Sequence, residues 1–328
     1  MSTTQTDSFK TKFMTLRAEI EKVIVGCRDV TDELLTCLFS GGNALIESPP
    51  GLGKTLIVKT LADALELKFS RIQFTPDLMP ADIVGTNIIM QDEMGKRYFQ
   101  FQHGPVFTNI LLADEINRAT PKTQSALLEA MQEHGVTVGG VRYDLEEPFL
   151  VIATENHLET EGTYSLPEAQ LDRFFFNSRL RSPDLKDLRE ISRRTTTTSS
   201  LSASKVLSRD EVEDMKREVR GVNVAPEIRR YASRVVLATH PTREGATDMV
   251  RQFVRYGSSP RGVQALIIGG KVRALLDGRN MVTAADVRHV ARPALRHRLI
   301  VNFEGEAENV DPDRIIDDVV RHVEAPKG

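Results

Sequence analysis

The feature that most constrains this chain is a turn of small residues between an apolar run and a helical pattern. The run Ala44-Leu45-Ile46 predicts a buried strand, and the spacing of the apolar residues from 56 to 65 predicts a helix. A strand-to-helix turn directs unpaired backbone N–H groups and the positive end of a helix dipole at one point, which suits a polyphosphate. The predicted phosphate-binding residues are Ser48, Pro49, Pro50, Gly51, Leu52, Gly53, Lys54 and Thr55.

Two residues at the end of this turn carry its chemistry. Lys54 is placed to reach the outer phosphates, and the Thr55 hydroxyl is placed to ligate the magnesium ion that accompanies them. The usual pattern begins with glycine, whereas this chain has Ser48, whose small side chain fits the same space. The alternative is an ordinary glycine and proline turn that happens to precede Lys-Thr. The strand before the turn and the helix after it favour phosphate binding.

A second segment adds two carboxylates at the end of another strand. The apolar run 110–113 predicts a parallel strand that is buried on both faces and opens at its carboxyl end onto a ligand crevice. Asp114 is predicted to hold the magnesium through water, and Glu115 to polarise the attacking water. An acidic pair after a strand is often only a solvated loop. Downstream of a phosphate-binding turn it indicates nucleotide hydrolysis.

Length, charge and cysteine content narrow the class of protein. With 328 residues, 40% of them hydrophobic, the chain is long enough for two domains with a substantial core. A net charge of −3 argues against a dedicated nucleic-acid-binding protein, because such a domain is usually strongly basic. Cys27 and Cys37 form no CxxC pair. Because a chain of this length has only these two cysteines, the sequence indicates a reducing compartment. Without a signal-peptide pattern or a bilayer-spanning apolar run, the sequence predicts a cytoplasmic protein with no transmembrane segment.

The order of strand and helix patterns predicts an α/β domain followed by a helical one. Candidate strands at 43–47, 69–74, 109–113, 149–154 and 174–180 alternate with helical patterns, which predicts a doubly wound, five-stranded parallel sheet. From Val206 onward, helical periodicity predicts a smaller all-α domain. The predicted domains are a nucleotide-binding core at 1–180, a linker or start of the lid at 181–205 and the helical lid domain at 206–328. Within the linker, the Thr- and Ser-rich residues 193–204 predict an exposed loop, with a turn and helix as the alternative.

Two insertions interrupt the alternation of the first domain. Segments 86–91 and 97–101 flank Asp92-Glu93-Met94-Gly95, and segments 136–138 and 141–143 flank Gly139-Gly140. Both patterns predict β-hairpins, the second with a primed turn. The sequence alone leaves open whether these hairpins only decorate the surface or contact another molecule.

A basic stretch lies in the second domain, at Arg288, Arg292, Arg296 and Arg298. A solvated helix face or a contact between subunits explains it better than a site for a nucleic-acid backbone. The histidines of the chain have no paired spacing such as HxxxH, so a transition-metal site is not indicated.

Four motifs identify the family that the chain resembles. They are 114–133, which begins Asp-Glu-Ile-Asn-Arg-Ala-Thr-Pro, 161–164 (Glu-Gly-Thr-Tyr), 166–174 (Leu-Pro-Glu-Ala-Gln-Leu-Asp-Arg-Phe) and 295–299 (Leu-Arg-His-Arg-Leu). The chain resembles the MoxR family of AAA+ ATPases from about Val23 to about Glu308. The resemblance implies a P-loop AAA+ core, a helical lid and a homo-oligomeric ring, usually a hexamer, that binds ATP with Mg²⁺ at each subunit seam.

The resemblance also assigns roles to three residues. Asn156 matches the sensor-1 residue, Arg173 matches the arginine finger lent to the neighbouring subunit, and Arg261 matches sensor 2. Together with Glu115 they form the predicted catalytic set. Without the family, Asn156 is an ordinary turn residue and Arg173 pairs with Asp172 in its own subunit. Whether Arg261 reaches its own nucleotide or that of a neighbour stays open at this point.

The implied function is that of a magnesium-dependent ATPase whose ring acts as a chaperone-like motor and remodels or matures a protein complex. The resemblance further implies a partner with a von Willebrand factor A domain, and it makes the two hairpins candidates for contact with the client. Open alternatives are the motor subunit of a metal chelatase, a helicase-like nucleic-acid translocase and a scaffold that binds nucleotide without hydrolysing it. Stimulation by DNA would favour the translocase, whereas Glu115 disfavours the scaffold.

Overall fold

The computed structural model describes residues 3–155, 163–196 and 201–326. Within them the helices are α1 (Thr3–Val23), α2 (Arg28–Ser40), α3 (Lys54–Ala64), α4 (Pro80–Val84), α5 (Pro121–Glu133), α6 (Glu168–Leu171), α7 (Leu185–Thr195), α8 (Arg209–Gly221), α9 (Pro226–Ala238), α10 (Asp248–Phe253), α11 (Pro260–Leu276), α12 (Ala284–Leu295), α13 (Phe303–Ala307) and α14 (Pro312–His322). The strands are β1 (Ala44–Glu47), β2 (Phe69–Gln73), β3 (Gly85–Gln91), β4 (Arg97–His103), β5 (Ile110–Asp114), β6 (Gly135–Val138), β7 (Val141–Asp144), β8 (Leu150–Glu155), β9 (Phe176–Arg179), β10 (Val254–Tyr256) and β11 (Ile300–Val301). None of the described helices is both long and apolar enough to cross a bilayer.

The central sheet has five strands in the order β2-β5-β8-β1-β9. Every neighbouring pair is parallel, so the carboxyl ends of all five strands meet at one edge. The predicted doubly wound parallel sheet is therefore confirmed, and each predicted strand lies within two residues of an observed one. The largest shift is at β9, which begins at Phe176 and not at residue 174, because the two preceding phenylalanines form a bend.

The central strands are buried on both faces, which is why they are continuous apolar runs. Along β5, Ile110 and Leu112 join one hydrophobic cluster while Leu111 and Ala113 join the other, as the two-residue period of a strand requires. The first cluster also contains apolar side chains of α1, α2 and α3, and the second those of α4 and α5. Helices thus cover both faces of the sheet.

Both predicted hairpins are present and they contact each other. β3 pairs with β4 and β6 pairs with β7, each in antiparallel register. Gly139 and Gly140 have φ of 58° and 82°, the left-handed conformation that a primed turn requires at both central positions. The ring of Phe101 on β4 stacks on that of Tyr143 on β7, with centroids 4.0 Å apart. The hairpins are therefore joined by an aromatic stack.

Capping residues set the helix starts that matter for the site. Pro260 occupies the first position of α11, and the backbone N–H of Arg261 donates to Ser259 Oγ at 3.1 Å. This cap fixes the position of Arg261 at the start of the helix.

Helix α5 ends at a residue other than glycine in the left-handed conformation. Its left-handed residue is His134, with φ of 48°, and Gly135 is the first residue of β6.

The lid is helical and shares a hydrophobic cluster with the sheet. Apolar residues of α8, α9, α11, α12 and α14 belong to the same cluster as β1 and α1–α3. Gly269 on α11 permits the closest approach, since a Cβ there would lie 2.9 Å from Phe176 Cζ on β9. The lid also contains the short antiparallel pair β10–β11, which the strand pattern did not indicate. Helix α7 extends into the Thr- and Ser-rich stretch as far as Thr195, and the domain boundaries at 180 and 205 stay predictions.

An aromatic cluster joins the N-terminal helix to the core, and we expect Phe39→Ala to destabilise the protein. Phe39 is fully buried, and its ring lies 5.6 Å from that of Phe9 and 5.8 Å from that of Phe13. Removing it leaves a cavity that should lower the free energy of unfolding by about 3–5 kcal/mol. Urea denaturation followed by circular dichroism measures the loss. Phe303→Ala is the matched control, because Phe303 is 86% exposed, and equal losses in the two variants would contradict the expectation.

Candidate nucleotide site

The turn between β1 and α3 has the backbone geometry of an anion-binding loop. Gly51 and Gly53 have φ of 82° and 78°, a left-handed conformation that other residues rarely adopt. A Cβ at either glycine would meet no atom within 4 Å, so the space in front of the loop is open. Helix α3 starts at Lys54, directly after the second of these glycines. The loop therefore presents backbone groups and a helix N-terminus to an open space, which suits a phosphate chain.

Lys54 lies against the loop that precedes it. Its side chain is buried, with 8% of the residue exposed, and Nζ donates to the carbonyl oxygen of Ser48 at 3.4 Å. Ser48 Oγ in turn donates to the carbonyl of Pro49 at 3.0 Å, which keeps the serine within the loop. Thr55 follows in the first turn of α3 and is half-buried. The predicted phosphate-binding residues are thus brought together at one end of β1.

Asp114 lies at the carboxyl end of β5, the strand edge where β1 also ends. It is buried, and its Oδ1 accepts a hydrogen bond from Thr154 Oγ1 at 2.7 Å. Its Oδ2 accepts from both Arg71 Nη2 at 2.7 Å and Arg71 Nε at 3.2 Å. Arg71 thus supplies positive charge to a carboxylate that sequence reasoning assigned to a metal ion. The parallel pairing of β2 with β5, which brings the two residues together, could not be read from local sequence.

Glu115 is held in a defined position by groups on three sides. Its backbone is left-handed, with φ of 56°, and its N–H donates to Thr154 Oγ1 at 2.9 Å. Its Oε2 accepts hydrogen bonds from Gln73 Nε2 at 2.9 Å and from Arg118 Nη1 at 3.1 Å. A left-handed glutamate is uncommon and such strain concentrates at functional sites. Sequence reasoning missed Gln73 and Thr154, which belong to neighbouring strands.

A cavity of about 1250 Å³ adjoins the phosphate loop. It lies between the loop residues 51–53, the segment from Val23 to Val30, helix α7 and the lid helices α11 and α12. Glu33 lines it, and burial raises the pKa of that carboxyl to about 7 against the opposing effects of Ser178 and Arg296. The open glycine loop, Lys54 and the carboxylates at the strand edge are together a donor set that fits ATP with Mg²⁺. Asn156 lies outside the described residues.

Arg173 lies at the other edge of the sheet. It precedes β9, whose residue Phe176 pairs with Ala44 at the start of β1, and the N–H of Phe175 donates to the carbonyl of Asn43 at 2.7 Å. The phosphate loop begins five residues after Asn43, and at about 3.3 Å per residue a strand of that length spans about 16 Å. Arg173 and the predicted phosphate loop therefore lie at opposite ends of β1.

The guanidinium of Arg173 is left without a partner. It makes no hydrogen bond or ion pair with any residue that the structure describes, and its Nε is buried. The neighbouring carboxylate is occupied by other groups, since Asp172 Oδ2 accepts from Arg261 Nη1 at 2.9 Å and Oδ1 accepts from Arg298 Nε at 2.9 Å. The alternative of an Arg173–Asp172 pair is therefore wrong. Arg261 stands beside the finger and is not among the described residues that line the cavity.

Only part of the basic stretch of the lid is exposed to solvent. The interpretation as a solvated helix face is wrong for Arg296 and Arg298. Arg292 is exposed and paired with Asp317, as a surface residue would be. Arg296 and Arg298 are buried, and their guanidinium groups donate to Asp313 and Asp172 and to main-chain carbonyls of the core. The sequence could not predict that these two arginines are buried, because every residue type has a main-chain carbonyl that could accept their hydrogen bonds.

Comparison with known proteins places both domains. Residues 43–176 match the model of the ATPase family associated with various cellular activities, and residues 246–319 match an AAA lid domain. A solved structure of a protein from Cytophaga hutchinsonii, assigned as an ATPase, superposes with a TM-score of 0.90 at 38% identity, covering 98% of this chain and 97% of that one. The fold and the order of the two domains are therefore shared along the whole length.

Two relatives extend the similarity at the level of sequence. The Chaperone MoxR1 of Mycobacterium tuberculosis is 40% identical over 309 residues, which is 94% of this chain and 81% of the relative. The uncharacterized protein YeaC of Bacillus subtilis is 39% identical over 94% of this chain and 92% of its own. Because identity of this degree covers both the nucleotide-binding core and the lid, the chain belongs to the MoxR family of AAA+ ATPases.

Proposed function

We propose that this protein is a magnesium-dependent ATPase that assembles into a head-to-tail ring, a hexamer, in which each site is completed by the neighbouring subunit. The observation that carries the proposal is the placement of Arg173. Its guanidinium is unpaired among the described residues and stands at the sheet edge opposite its own phosphate loop. A head-to-tail arrangement that closes on itself brings each Arg173 to the next phosphate loop and leaves no subunit unused.

At the carboxyl edge, each side chain has a part in hydrolysis. Bound Mg²⁺·ATP supplies the anhydride bond to be cleaved and a cation that offsets charge on the outer phosphates. Residues 48–53 and Lys54 hold the phosphates, and Thr55 and Asp114 hold the metal. Glu115 orients the attacking water: its backbone N–H donates to Thr154 Oγ1, and its carboxylate accepts from Gln73 Nε2. Asn156 is proposed to assist Glu115 as sensor 1.

Arg173 and Arg261 lie close together at the edge of the sheet where the parallel strands begin. Arg173 would meet the charge that develops on the transferred phosphoryl group, a task that suits a planar and permanently charged guanidinium. Arg261 binds Asp172, the residue next to the finger, and its side chain is about half exposed, at 48%. We therefore assign Arg261 to the same neighbouring nucleotide as Arg173. This answers, as a proposal, the choice that the sequence left open for sensor 2.

The proposed use of this cycle is remodelling of protein complexes. One relative is named a chaperone, and the β3–β4 hairpin has exposed apolar side chains at Ile89, Met94 and Phe99, a pattern that marks interaction sites. A client with a von Willebrand factor A domain is proposed on family resemblance alone. Cys27 and Cys37 are free thiols, which supports a location in the cytoplasm.

Substitution of Lys54 should weaken ATP binding, whereas substitution of Glu115 should lower the rate of hydrolysis. We expect Lys54→Ala to raise the Kd for ATP by roughly 10–100-fold, because hydrogen bonds to charged groups are each worth about 1.5–3 kcal/mol. Glu115→Gln should leave the Kd unchanged and lower kcat by about 10²–10⁴-fold, the usual contribution of a positioned base. Titration with a fluorescent ATP analogue and phosphate release measure the two quantities. Lys59→Ala and Glu129→Gln, exposed on α3 and α5, are the controls, and full turnover in Glu115→Gln would refute the assignment.

Mixing Arg173→Ala subunits with Lys54→Ala subunits should restore part of the ATP hydrolysis that each variant lacks alone. Arg173→Ala is expected to lower kcat by about 10³–10⁵-fold with little effect on ATP affinity. At an ATP concentration near the wild-type Kd, Lys54→Ala subunits are largely empty but keep the finger, so rings co-assembled from the two variants should regain a measurable part of the phosphate release. Each variant alone is the control. A dilute monomer with undiminished hydrolysis, or mixtures no more active than their components, would contradict the shared site.

The hairpin should contribute to client binding. We expect Phe99→Ser and Met94→Ser together to reduce the protection of heat-unfolded citrate synthase from aggregation by about half or more, as loss of exposed apolar contacts predicts. Light scattering in the presence of ATP measures the protection. Phe303→Ser and Met281→Ser together remove two exposed apolar residues of the lid and serve as the control. Equal effects of hairpin and lid substitutions would show that the hairpin has no special part.

A further inference from the structure

Three consecutive lid residues hold the core segment that contains the finger. We call Arg296, His297 and Arg298 the lid clamp. Each of them donates to main-chain carbonyl oxygens of residues 172–177. Arg298 Nη2 donates to the carbonyls of Phe174 at 2.6 Å and Asp172 at 3.1 Å, and Arg298 Nη1 donates to that of Phe175 at 3.2 Å. His297 Nε2 donates to the carbonyl of Phe174 at 3.0 Å, and Arg296 Nη1 to that of Asn177 at 2.9 Å. Carbonyls on both sides of Arg173 are thus held by the lid.

The lid clamp is buried and its charge is balanced. The Arg298 side chain is only 3% exposed, and its Nε donates to Asp172 Oδ1, so the guanidinium bridges the carboxylate and the carbonyls. Burial lowers the pKa of Arg298 to about 10, which still leaves it charged. Burial and the adjacent Arg298 charge lower the pKa of His297 well below its usual value, so the ring is neutral and donates through Nε2. Charge-assisted bonds of this kind are short and directional, and they fix the backbone that accepts them.

The finger depends on this backbone. The Arg173 guanidinium has no partner among the described residues, so its position is set by the main chain from Asp172 to Phe175. The same carboxylate that receives Arg298 also receives Arg261 Nη1 at 2.9 Å and Ser259 Oγ at 2.6 Å. Asp172 therefore links the lid clamp, the start of α11 and the finger in one group. A shift of the lid relative to the core would therefore move Arg261 and the backbone that carries Arg173 together.

Arg296 and Arg298 have different parts in this arrangement. Arg296 forms a two-bond pair with Asp313 and reaches β9 at Asn177, which joins two parts of the fold that lie away from the finger. Arg298 also donates to the carbonyl of Ala294 within the lid, and the core groups that it contacts are all at residues 172, 174 and 175, on either side of Arg173. The alternative, that the lid clamp merely holds lid and core together, would make the two arginines equivalent. The contacts instead single out Arg298.

We propose that Arg298 is a positioning residue for the neighbouring subunit's reaction: the lid clamp sets the reach of Arg173, so that each lid controls hydrolysis at the site next to its own. The inference rests on the proposed function, in which the finger acts across the seam. A misplacement of about 1 Å at a reacting group can cost about 10²-fold in rate. Loss of Arg298 contacts should therefore lower kcat at the neighbouring site and leave ATP affinity at its own site unchanged.

Mixed rings test this with one substitution in two places. Lys54→Ala subunits lend the finger and Arg173→Ala subunits receive it, and their mixture gives the reference rate. Arg298→Lys keeps the charge, but the three donors of an ammonium cannot replace the bonds that the guanidinium makes to four carbonyls and to the Asp172 carboxylate. In the lending subunit we expect it to lower the recovered phosphate release at least about tenfold. In the receiving subunit it should cost less than about twofold, because that subunit lends no finger. ATP affinity, measured with a fluorescent analogue, should be the same in both.

Three outcomes would overturn the proposal. Equal losses in both placements would show that Arg298 only stabilises the fold, and no loss in either would show that the lid clamp does not affect the finger. If the reference mixture itself recovers nothing, the shared site fails and the lid clamp fails with it, which is distinguishable from the first two results. Arg217→Lys, at an exposed ion pair on α8 away from the cavity, is the control and should change nothing. Asp172→Asn, which keeps the side-chain shape, should show the same asymmetry if Arg298→Lys does not fold.

Discussion

Parallel pairing of β1 with β9 is the constraint on which the rest of the structure depends. It places the residues after β1 at one edge of the sheet and the residues before β9 at the other. The predicted phosphate loop and Arg173 are consequently kept apart in one chain, however the side chains are arranged. If Arg173 acts as we propose, one chain has the parts of a complete site but cannot assemble them alone. The proposed oligomer would then follow from the topology of the sheet.

The carboxyl edge shows how a charged site is kept ordered by neighbouring strands. One hydroxyl, that of Thr154, donates to Asp114 and accepts from the N–H of Glu115, so a single group on β8 orients the carboxylate of Asp114 and the backbone of Glu115. Arg71 on β2 balances the charge of Asp114 from the other side. These bonds make the acidic pair stable without a cation from outside. They also mean that a metal ion at Asp114 has a side-chain cation to displace.

Most of the fold could be predicted from the sequence, because its signals are local. Buried parallel strands are continuous apolar runs, and the Gly139-Gly140 turn allows one kind of hairpin. The site was predicted where one segment contains all of its residues, as in 48–55 and 114–115. It was not predicted where strands or domains meet: Arg71, Gln73 and Thr154 acquire their roles from lateral pairing, and Arg298 acquires its role from carbonyl oxygens, which have no sequence signature.

The stack of Phe101 on Tyr143 has a mechanical consequence for the two hairpins. Neither hairpin can swing without separating the rings, so a force on the exposed tip of β3–β4 is shared with β6–β7. The chain leaves β7 at Asp144 and enters β8 six residues later, and β8 ends beside the acidic pair through Thr154. A force on the hairpin tip would thus be passed along this short stretch of backbone to β8 and to Thr154, which contacts both Asp114 and Glu115.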